Sequence, residues 1–103
     1  MEEIDGDRIN LSCRIANIGG RATSTVVQVY GGVPGSAFAR AERRLVGFAR
    51  VDVLPDAVTT AEIVVDRRVL DVRVDGAWIR EALPAHLWIG QYAYDPTSLL
   101  LQV

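Results

Sequence analysis

The chain has 103 residues, half of them hydrophobic and 23% charged, with a formal net charge of −2. This length corresponds to one domain, and the hydrophobic content argues against a disordered chain, which requires low hydrophobicity and high net charge. The slightly acidic balance argues against nucleic acid or an anionic membrane as a partner, because both bind positively charged faces. No stretch reaches the ~18 apolar residues of a membrane span, and the acidic N-terminus MEEIDGDR is unlike a signal peptide.

A period of two residues dominates the hydrophobic pattern and predicts short β-strands. It is clearest in RINLSCRIAN, residues 8–17, which places Ile9, Leu11, Cys13 and Ile15 on one face. We expect the acidic, polar residues 1–7 to be disordered or partly ordered, ahead of a domain that spans 8–103. Further strands are predicted in TSTVVQVYG, RRLVGFARVDVL, TTAEIVVD, RVLDVRVDG, AWIRE, HLWIG and SLLLQV, at residues 23–31, 43–54, 59–66, 68–76, 77–81, 86–90 and 98–103.

About seven strands in a chain of this length predict an all-β fold, an immunoglobulin-like antiparallel β-sandwich. SAFARAERRL, residues 36–45, is the best candidate for a helix. We expect Phe48 in the core, and we expect the glycine pairs around residues 23–31 to form turns with positive φ, which glycine adopts at little cost. Turns are predicted at Gly19-Gly20, Gly31 to Gly35, Pro55-Asp56, Asp75-Gly76 and Pro96.

Few residue patterns indicate catalysis or ligand binding. His86 lies on a predicted strand beside no nucleophile, and Cys13 takes an inward position, where cysteine is usually a small hydrophobic residue. One cysteine and one histidine do not make a zinc site. Asp66, Asp71 and Asp75 lack the deep pocket in which a pair of carboxylates hydrolyses a sugar, so we expect weak surface pairs with arginines 67, 68 and 73. We predict no catalytic residue, no metal and no cofactor.

Aromatic side chains are the remaining candidates for a binding role. They stack on sugars, fill cores or contact other domains, and we favour the last two roles because aromatic residues are enriched at interfaces. Alternation directs Leu87 and Ile89 inward and Trp88 outward. By the same pattern Gln28 and Tyr30 point outward, and we predict a domain-contact surface of Gln28, Tyr30 and Trp88. The aromatic residues are Tyr30, Trp78, Trp88, Tyr92 and Tyr94.

Three separated blocks carry a more specific pattern. Asn17, Gly19 and Arg21 precede VVQVY (26–30), and Arg40, Arg43, Leu45, Gly47, Phe48, Arg50 and Val51 form the second block, followed by Leu54 and Pro55. In these blocks the chain resembles the C-terminal fibronectin type III-like domain of family 3 glycoside hydrolases, which reads N-T-G-x-R-x-G-x-E-V-V-Q-L-Y, R-P-x-K-x-L-x-G-F-x-R-V and L-x-P-G-E. Asp56-Ala57 departs from the Gly-Glu of the third block.

The resemblance implies a parent β-glucosidase or β-xylosidase that hydrolyses β-linked sugars with retention, with its catalytic residues in a barrel and an α/β domain outside this chain. It implies that this chain is a non-catalytic accessory domain, fibronectin type III-like in fold, whose partners are those catalytic domains. A free-standing carbohydrate-binding module and a structural or adhesive β-sandwich are the alternatives. We expect the isolated domain to form a homodimer through Gln28, Tyr30 and Trp88, because exposed apolar patches pair most often by two-fold symmetry.

Overall fold

The structure, a computed structural model, describes residues 2–17, 19–38, 42–95 and 98–103. Within these ranges the chain forms nine β-strands, with a short 3₁₀ helix, Arg67–Leu70, after the fifth. The strands are β1 (Glu2–Asp5), β2 (Arg8–Ala16), β3 (Thr23–Gly32), β4 (Arg44–Val53), β5 (Val58–Asp66), β6 (Val72–Val74), β7 (Ala77–Ile79), β8 (His86–Gly90) and β9 (Leu99–Gln102).

The strands form an antiparallel sandwich, which confirms the predicted fold class. One sheet has the order β1-β2-β5 and the other β4-β3-β8-β9, while β6 and β7 form a separate hairpin. Strand β1 lies in the segment 1–7 and is exposed along its whole length, with Ile4 as its one apolar residue. It is paired to β2 through the register Glu2↔Leu11 to Asp5↔Arg8, so its order comes from backbone pairing and gives no hydrophobic alternation in the sequence.

The core lies between the two large sheets and follows the predicted alternation. Inward side chains of β2 and β5 face those of β3 and β8, and each buried aliphatic side chain contributes about 1.5–3 kcal/mol relative to exposure. Cys13 and Ile15 pack partly buried at the edge of this core. The buried residues are Ile9, Leu11, Val27, Val29, Ala61, Ile63, Val65, Leu87 and Ile89.

Strand β4 departs from the prediction. Phe48 is 67% exposed and Leu45 is 48% exposed, so the prediction that Phe48 is a core residue is wrong. The register passes from Val29↔Gly47 to Tyr30↔Leu45, which leaves Val46 as an extra residue in a β-bulge. Gly47 takes the inward position, where a Cβ would lie 2.9 Å from Cγ2 of Ile63, and its neighbour Phe48 therefore points outward.

The glycine pairs also differ from expectation. Gly31 and Gly32 belong to β3 and are buried, and the described glycines with positive φ are Gly6, Gly35 and Gly76. The prediction that the pairs flanking β3 are positive-φ turns is therefore wrong. A Cβ on Gly31 would meet side chains of the core, and a Cβ on Gly32 would overlap the carbonyl oxygen of Glu42. Both positions need glycine because neighbouring atoms lie too close to leave room for a Cβ.

The turns and the predicted helix have mixed outcomes. At the predicted turns, Gly35 and Gly76 have φ of +81°, and Asp56, where the resembled family has glycine, has φ of 54°. The helix predicted for 36–45 is wrong in its described part, because 36–38 and 42–43 are irregular and β4 begins at 44. Residues 39–41 and the turn at Pro96 lie outside the described residues. The 3₁₀ helix, which the sequence analysis did not predict, starts where the Asp66 carboxylate accepts a hydrogen bond from the Arg68 backbone N–H at 3.0 Å.

Gly32→Ala tests the close approach at the end of β3. We expect the free energy of unfolding to fall by about 1–3 kcal/mol, because the new methyl group collides with the Glu42 backbone and not with a flexible side-chain tip. Gly20→Ala is the matched control, since no atom lies within 4 Å of its Cβ position. It should leave stability unchanged or raise it by up to about 1 kcal/mol. Equal losses in urea unfolding would contradict the explanation.

Candidate interaction surface

The outer face of the four-stranded sheet carries a row of large side chains. Tyr30 on β3 is the register partner of Leu45 on β4 and of Trp88 on β8, and Trp88 is the partner of Leu100 on β9. Directly paired residues have neighbouring side chains on one face. Leu45 and Leu100 are largely exposed, and Tyr30 and Trp88 are half-buried. The sheet therefore presents an apolar band that crosses all four strands.

Two of the residues predicted for domain contact, Tyr30 and Trp88, lie in this band, and the third, Gln28, lies beside it. The Tyr30 hydroxyl donates a hydrogen bond to Oε1 of Gln28 at 2.6 Å. Gln28 is the register partner of Phe48, which adds an exposed ring beside the band. Leu87 and Ile89 are buried while Trp88 points outward, so the predicted strand register is confirmed. We call the face formed by these residues the outer face, and its large members are Gln28, Tyr30, Leu45, Phe48, Trp88 and Leu100.

Arg43 adds a positive charge to the outer face. Its guanidinium carbon lies 4.1 Å from the ring centroid of Trp88 and 4.3 Å from that of Tyr94. The contact with Trp88 depends on Gly32, because the chain at Glu42 passes where a side chain at Gly32 would stand. Such contacts hold the cation by attraction to the ring faces. They also occupy part of the Trp88 ring, which is then unavailable as a platform for a sugar.

Tyr94 and Glu42 form a polar edge beside this cation. The Tyr94 hydroxyl donates a hydrogen bond to Oε2 of Glu42 at 3.1 Å. This hydrogen bond raises the pKa of the Tyr94 phenol above its ordinary value, since ionisation would place two negative charges together. Sequence reasoning missed this cluster, because Glu42, Arg43, Trp88 and Tyr94 come from separate segments. In the structure Tyr94 has a positive φ of 59°, which is uncommon for a bulky residue.

The five aromatic residues singled out in the sequence do not share one surface. Trp78 belongs to the β6–β7 hairpin and is 66% exposed, with the Arg73 guanidinium 5.5 Å from its ring centroid. Tyr92 is exposed in the turn after β8. Trp88 and Tyr30 lie on the outer face, next to the exposed Tyr94. Trp78 is therefore a natural comparison residue, similar in exposure to Phe48 but on another part of the molecule.

The aspartates do not converge on a pocket. Asp66 forms a bidentate contact with Arg68, with 2.7 Å between its Oδ2 and Nη2. This hydrogen bonding lowers the pKa of Asp66 to about 2. Asp71 is held by Arg80 at 3.0 Å and lies 3.9 Å from Arg67. A carboxyl group that acts as a general acid needs a raised pKa, whereas the pKa of Asp66 is lowered.

Histidine and cysteine remain apart. His86 is half-buried on β8 and makes an edge contact with Trp88 at 5.7 Å between ring centroids. Cys13 is a half-buried free thiol on β2. Within the described ranges no group of three or more His, Cys, Asp or Glu side chains is placed to hold a metal ion. In the same part of the chain, no helix combines the length and apolar character needed to cross a bilayer.

Comparison with known families decides the classification. Residues 25–93 match the family model described as "Fibronectin type III-like domain". The chain belongs to this family. The match includes β3, β4, β5 and β8, the strands that supply most of the core and of the outer face.

Relatives of this fibronectin type III-like domain are much longer proteins. It is 32% identical over 88 residues to "Probable beta-glucosidase H" of Emericella nidulans, a match that covers 84% of this chain and 11% of that protein. A β-glucosidase structure from Kluyveromyces marxianus aligns with all of the chain at a TM-score of 0.88 and 26% identity, over 13% of its own length. DesR, a β-glucosidase from Streptomyces venezuelae solved with D-glucose, aligns equally fully at 0.84 and 25%, over 14% of its length. The resemblance to β-glucosidase domains is confirmed.

The hydrogen bond at the edge of the outer face has a measurable consequence. Glu42→Gln removes the negative charge that opposes ionisation of Tyr94, so we expect the pKa of Tyr94 to fall toward its ordinary value. Titration of the tyrosine rings by NMR between pH 8 and pH 12 follows each residue separately. The unsubstituted chain, titrated under the same conditions, is the reference. An unchanged Tyr94 titration would contradict the contact.

Proposed function

We propose that this fibronectin type III-like domain is a non-catalytic accessory domain of a β-glucosidase-type glycoside hydrolase, where it packs on the catalytic domains and supports them. The observation that carries the proposal is the pair of coverages: the whole chain aligns with only 13–14% of two β-glucosidase structures. In such an enzyme most of the polypeptide lies beside this domain. The domain contributes a surface, and the remaining chain contributes the chemistry.

The outer face supports a packing role. The sandwich core is complete without Leu45, Phe48 and Leu100, which stay at least 48% exposed. Contiguous apolar surface of this kind marks an interaction site in a soluble protein, because leaving it in water has a free-energy cost. Leu45 and Phe48 are also two of the residues that carry the family resemblance, and neither contributes to the core. Contact with a neighbouring domain accounts for both.

The charged residues support a non-catalytic role. Hydrolysis of a glycosidic bond uses two carboxyl groups across a sugar site, one of them with a raised pKa. The described aspartates at 66 and 71 are instead ion-paired to arginines. These ion pairs hold the 3₁₀ helix and the hairpin that follows it.

We expect the purified 103-residue chain to release no sugar from aryl β-glucosides or β-xylosides above the buffer rate, because its carboxylates at 66 and 71 are ion-paired to arginines and not arranged as an acid and a nucleophile. The product of the complete reading frame that encodes it is the matched control and should hydrolyse one of these substrates. Turnover by the short chain alone would overturn the non-catalytic assignment. A complete reading frame without catalytic domains would overturn the accessory role.

The isolated domain should also self-associate through the outer face, because that face then lacks its covering domain. Sedimentation is expected to show a weight-average mass that rises with concentration. Phe48→Ser and Leu45→Ser should each weaken the association roughly tenfold by removing apolar contact area. Trp78→Ser, which removes a ring of similar exposure elsewhere, is the control and should leave it unchanged. A monomer at all concentrations, or equal losses for the three variants, would contradict this surface.

A further inference from the structure

We propose that Arg43 is a preformed receptor for a carboxylate, supplied by an acidic side chain of the domain that covers the outer face. The inference rests on the proposed accessory function for the identity of that domain. Its evidence is independent, because it comes from the contacts of one guanidinium. The proposed partner is the catalytic part of the hydrolase, and the surface that it must offer is an apolar patch with a carboxylate.

The first observation is the way in which the guanidinium is held. Its carbon lies within 4.3 Å of two ring centroids, those of Trp88 and Tyr94. Ring contacts use the flat faces of a guanidinium, whereas its hydrogen-bond donors lie in its plane. The two rings therefore position the Arg43 guanidinium without forming hydrogen bonds with its N–H groups. Less freedom is lost on binding when a side chain is already held in place.

The second observation is that these donors have no acceptor among the residues that the structure describes. Across residues 2–17, 19–38, 42–95 and 98–103, no hydrogen bond or ion pair from Arg43 is formed, and its Nε is buried without a partner. The adjacent Glu42 carboxylate accepts the Tyr94 hydroxyl. Buried polar atoms are nearly always hydrogen-bonded, and one that is not calls for an explanation. A carboxylate at the Nη groups supplies one, because it neutralises the cation to which the buried Nε belongs.

Comparison with neighbouring arginines shows that Arg43 is distinctive. Arg44 donates from Nη1 to the carbonyl of Val69 at 3.2 Å. Arg50, which is exposed farther along β4, donates from Nε to Oγ of Ser24 at 3.0 Å. Both have acceptors within the domain, whereas Arg43 has two aromatic rings. The cluster of Trp, Tyr and Arg on an apolar face also has the composition of an interface hot spot.

A carboxylate is the acceptor that fits these features. It matches the guanidinium fork in two parallel charge-assisted hydrogen bonds, and it neutralises the cation when the surrounding apolar band is covered. Burial of an unpaired arginine under a purely apolar surface would carry a large desolvation cost. The covering surface must therefore present an acidic residue opposite Arg43 and apolar side chains opposite Leu45 and Leu100.

Benzoate and benzamide are suitable probes, because they share size and shape and differ in the carboxylate. The ¹⁵N-labelled chain is titrated with each at equal ionic strength, and the arginine Nε–Hε resonances are followed. We expect benzoate to bind about tenfold more tightly than benzamide at Arg43. Arg50 is the internal control and should show no such selectivity. Equal responses to both probes, or equal responses at Arg43 and Arg50, would overturn the inference.

Variants test the geometry of the site. Variants at position 43 have no Arg43 resonance, so binding is followed at the indole N–H of Trp88. Arg43→Gln should abolish the preference for benzoate there, and Arg43→Lys should lose most of it, since an ammonium group lacks the planar fork. Arg50→Gln is the matched control and should retain the preference. The wild-type comparison of Arg43 with Arg50 requires no variant and decides the question if Arg43→Gln does not fold. Retention of full selectivity in Arg43→Gln would overturn the assignment.

A second arm separates this inference from the proposed function. In the complete hydrolase we expect Arg43→Glu to lower the melting temperature more than Arg50→Glu does. The new carboxylate at position 43 would face the carboxylate of the covering domain. If the two variants lower the melting temperature equally while the isolated chain still prefers benzoate, the catalytic part does not supply the carboxylate. If the complete protein is not a hydrolase, the accessory function fails, whereas benzoate selectivity still supports a carboxylate receptor at Arg43.

Discussion

The organisation of the outer face depends on the close approach of two backbones at the end of β3. The carbonyl oxygen of Glu42 occupies the space that a side chain at Gly32 would need, and Cζ3 of Trp88 lies 3.3 Å from the same position. Gly31, one residue earlier, leaves room on the opposite face for Leu70. Because strand residues alternate between faces, the pair lets the core fill on one side and lets the segment before β4 reach Trp88 on the other.

The charges of the domain divide into satisfied and open groups. Around the 3₁₀ helix and the hairpin that follows it, Asp7 and Asp71 share Arg80, with 2.7 Å between Asp7 and its guanidinium. The exposed Asp7 pair contributes little net stability, while Asp71 is largely buried, and both pairs satisfy the local charges. Arg43 on the outer face is held by aromatic rings and has no anionic partner among the described residues. The charges near the 3₁₀ helix are therefore paired within the domain, whereas the charge of Arg43 on the outer face is suited to a partner.

Alternation allowed the sequence to predict most strands and the inward positions of β2, β3, β5 and β8, because a two-residue period reports burial directly. Gly47 inside the strand indicates a bulge or bend, and the structure has a bulge next to it. The sequence does not show that Val46 is the extra residue, because that depends on how closely Gly47 approaches Ile63 in the other sheet. The phase of Val51 and Val53 nevertheless places Phe48 outward, a signal that the prediction of a core Phe48 overlooked. The Arg43 cluster joins segments up to about 50 residues apart, and no local pattern encodes such contacts.

The bulge in β4 links the core to the proposed interface. Gly47 is small enough to bring the two sheets together, since any side chain there would press on Ile63. The extra residue, Val46, then shifts the phase of the strand, so Leu45 and Phe48 on either side both face outward. One local irregularity thus achieves close packing inside and places two large apolar side chains outside. A regular strand would bury one of the two side chains and leave the other outside, and the outer face would lose part of the apolar surface on which the proposed docking depends.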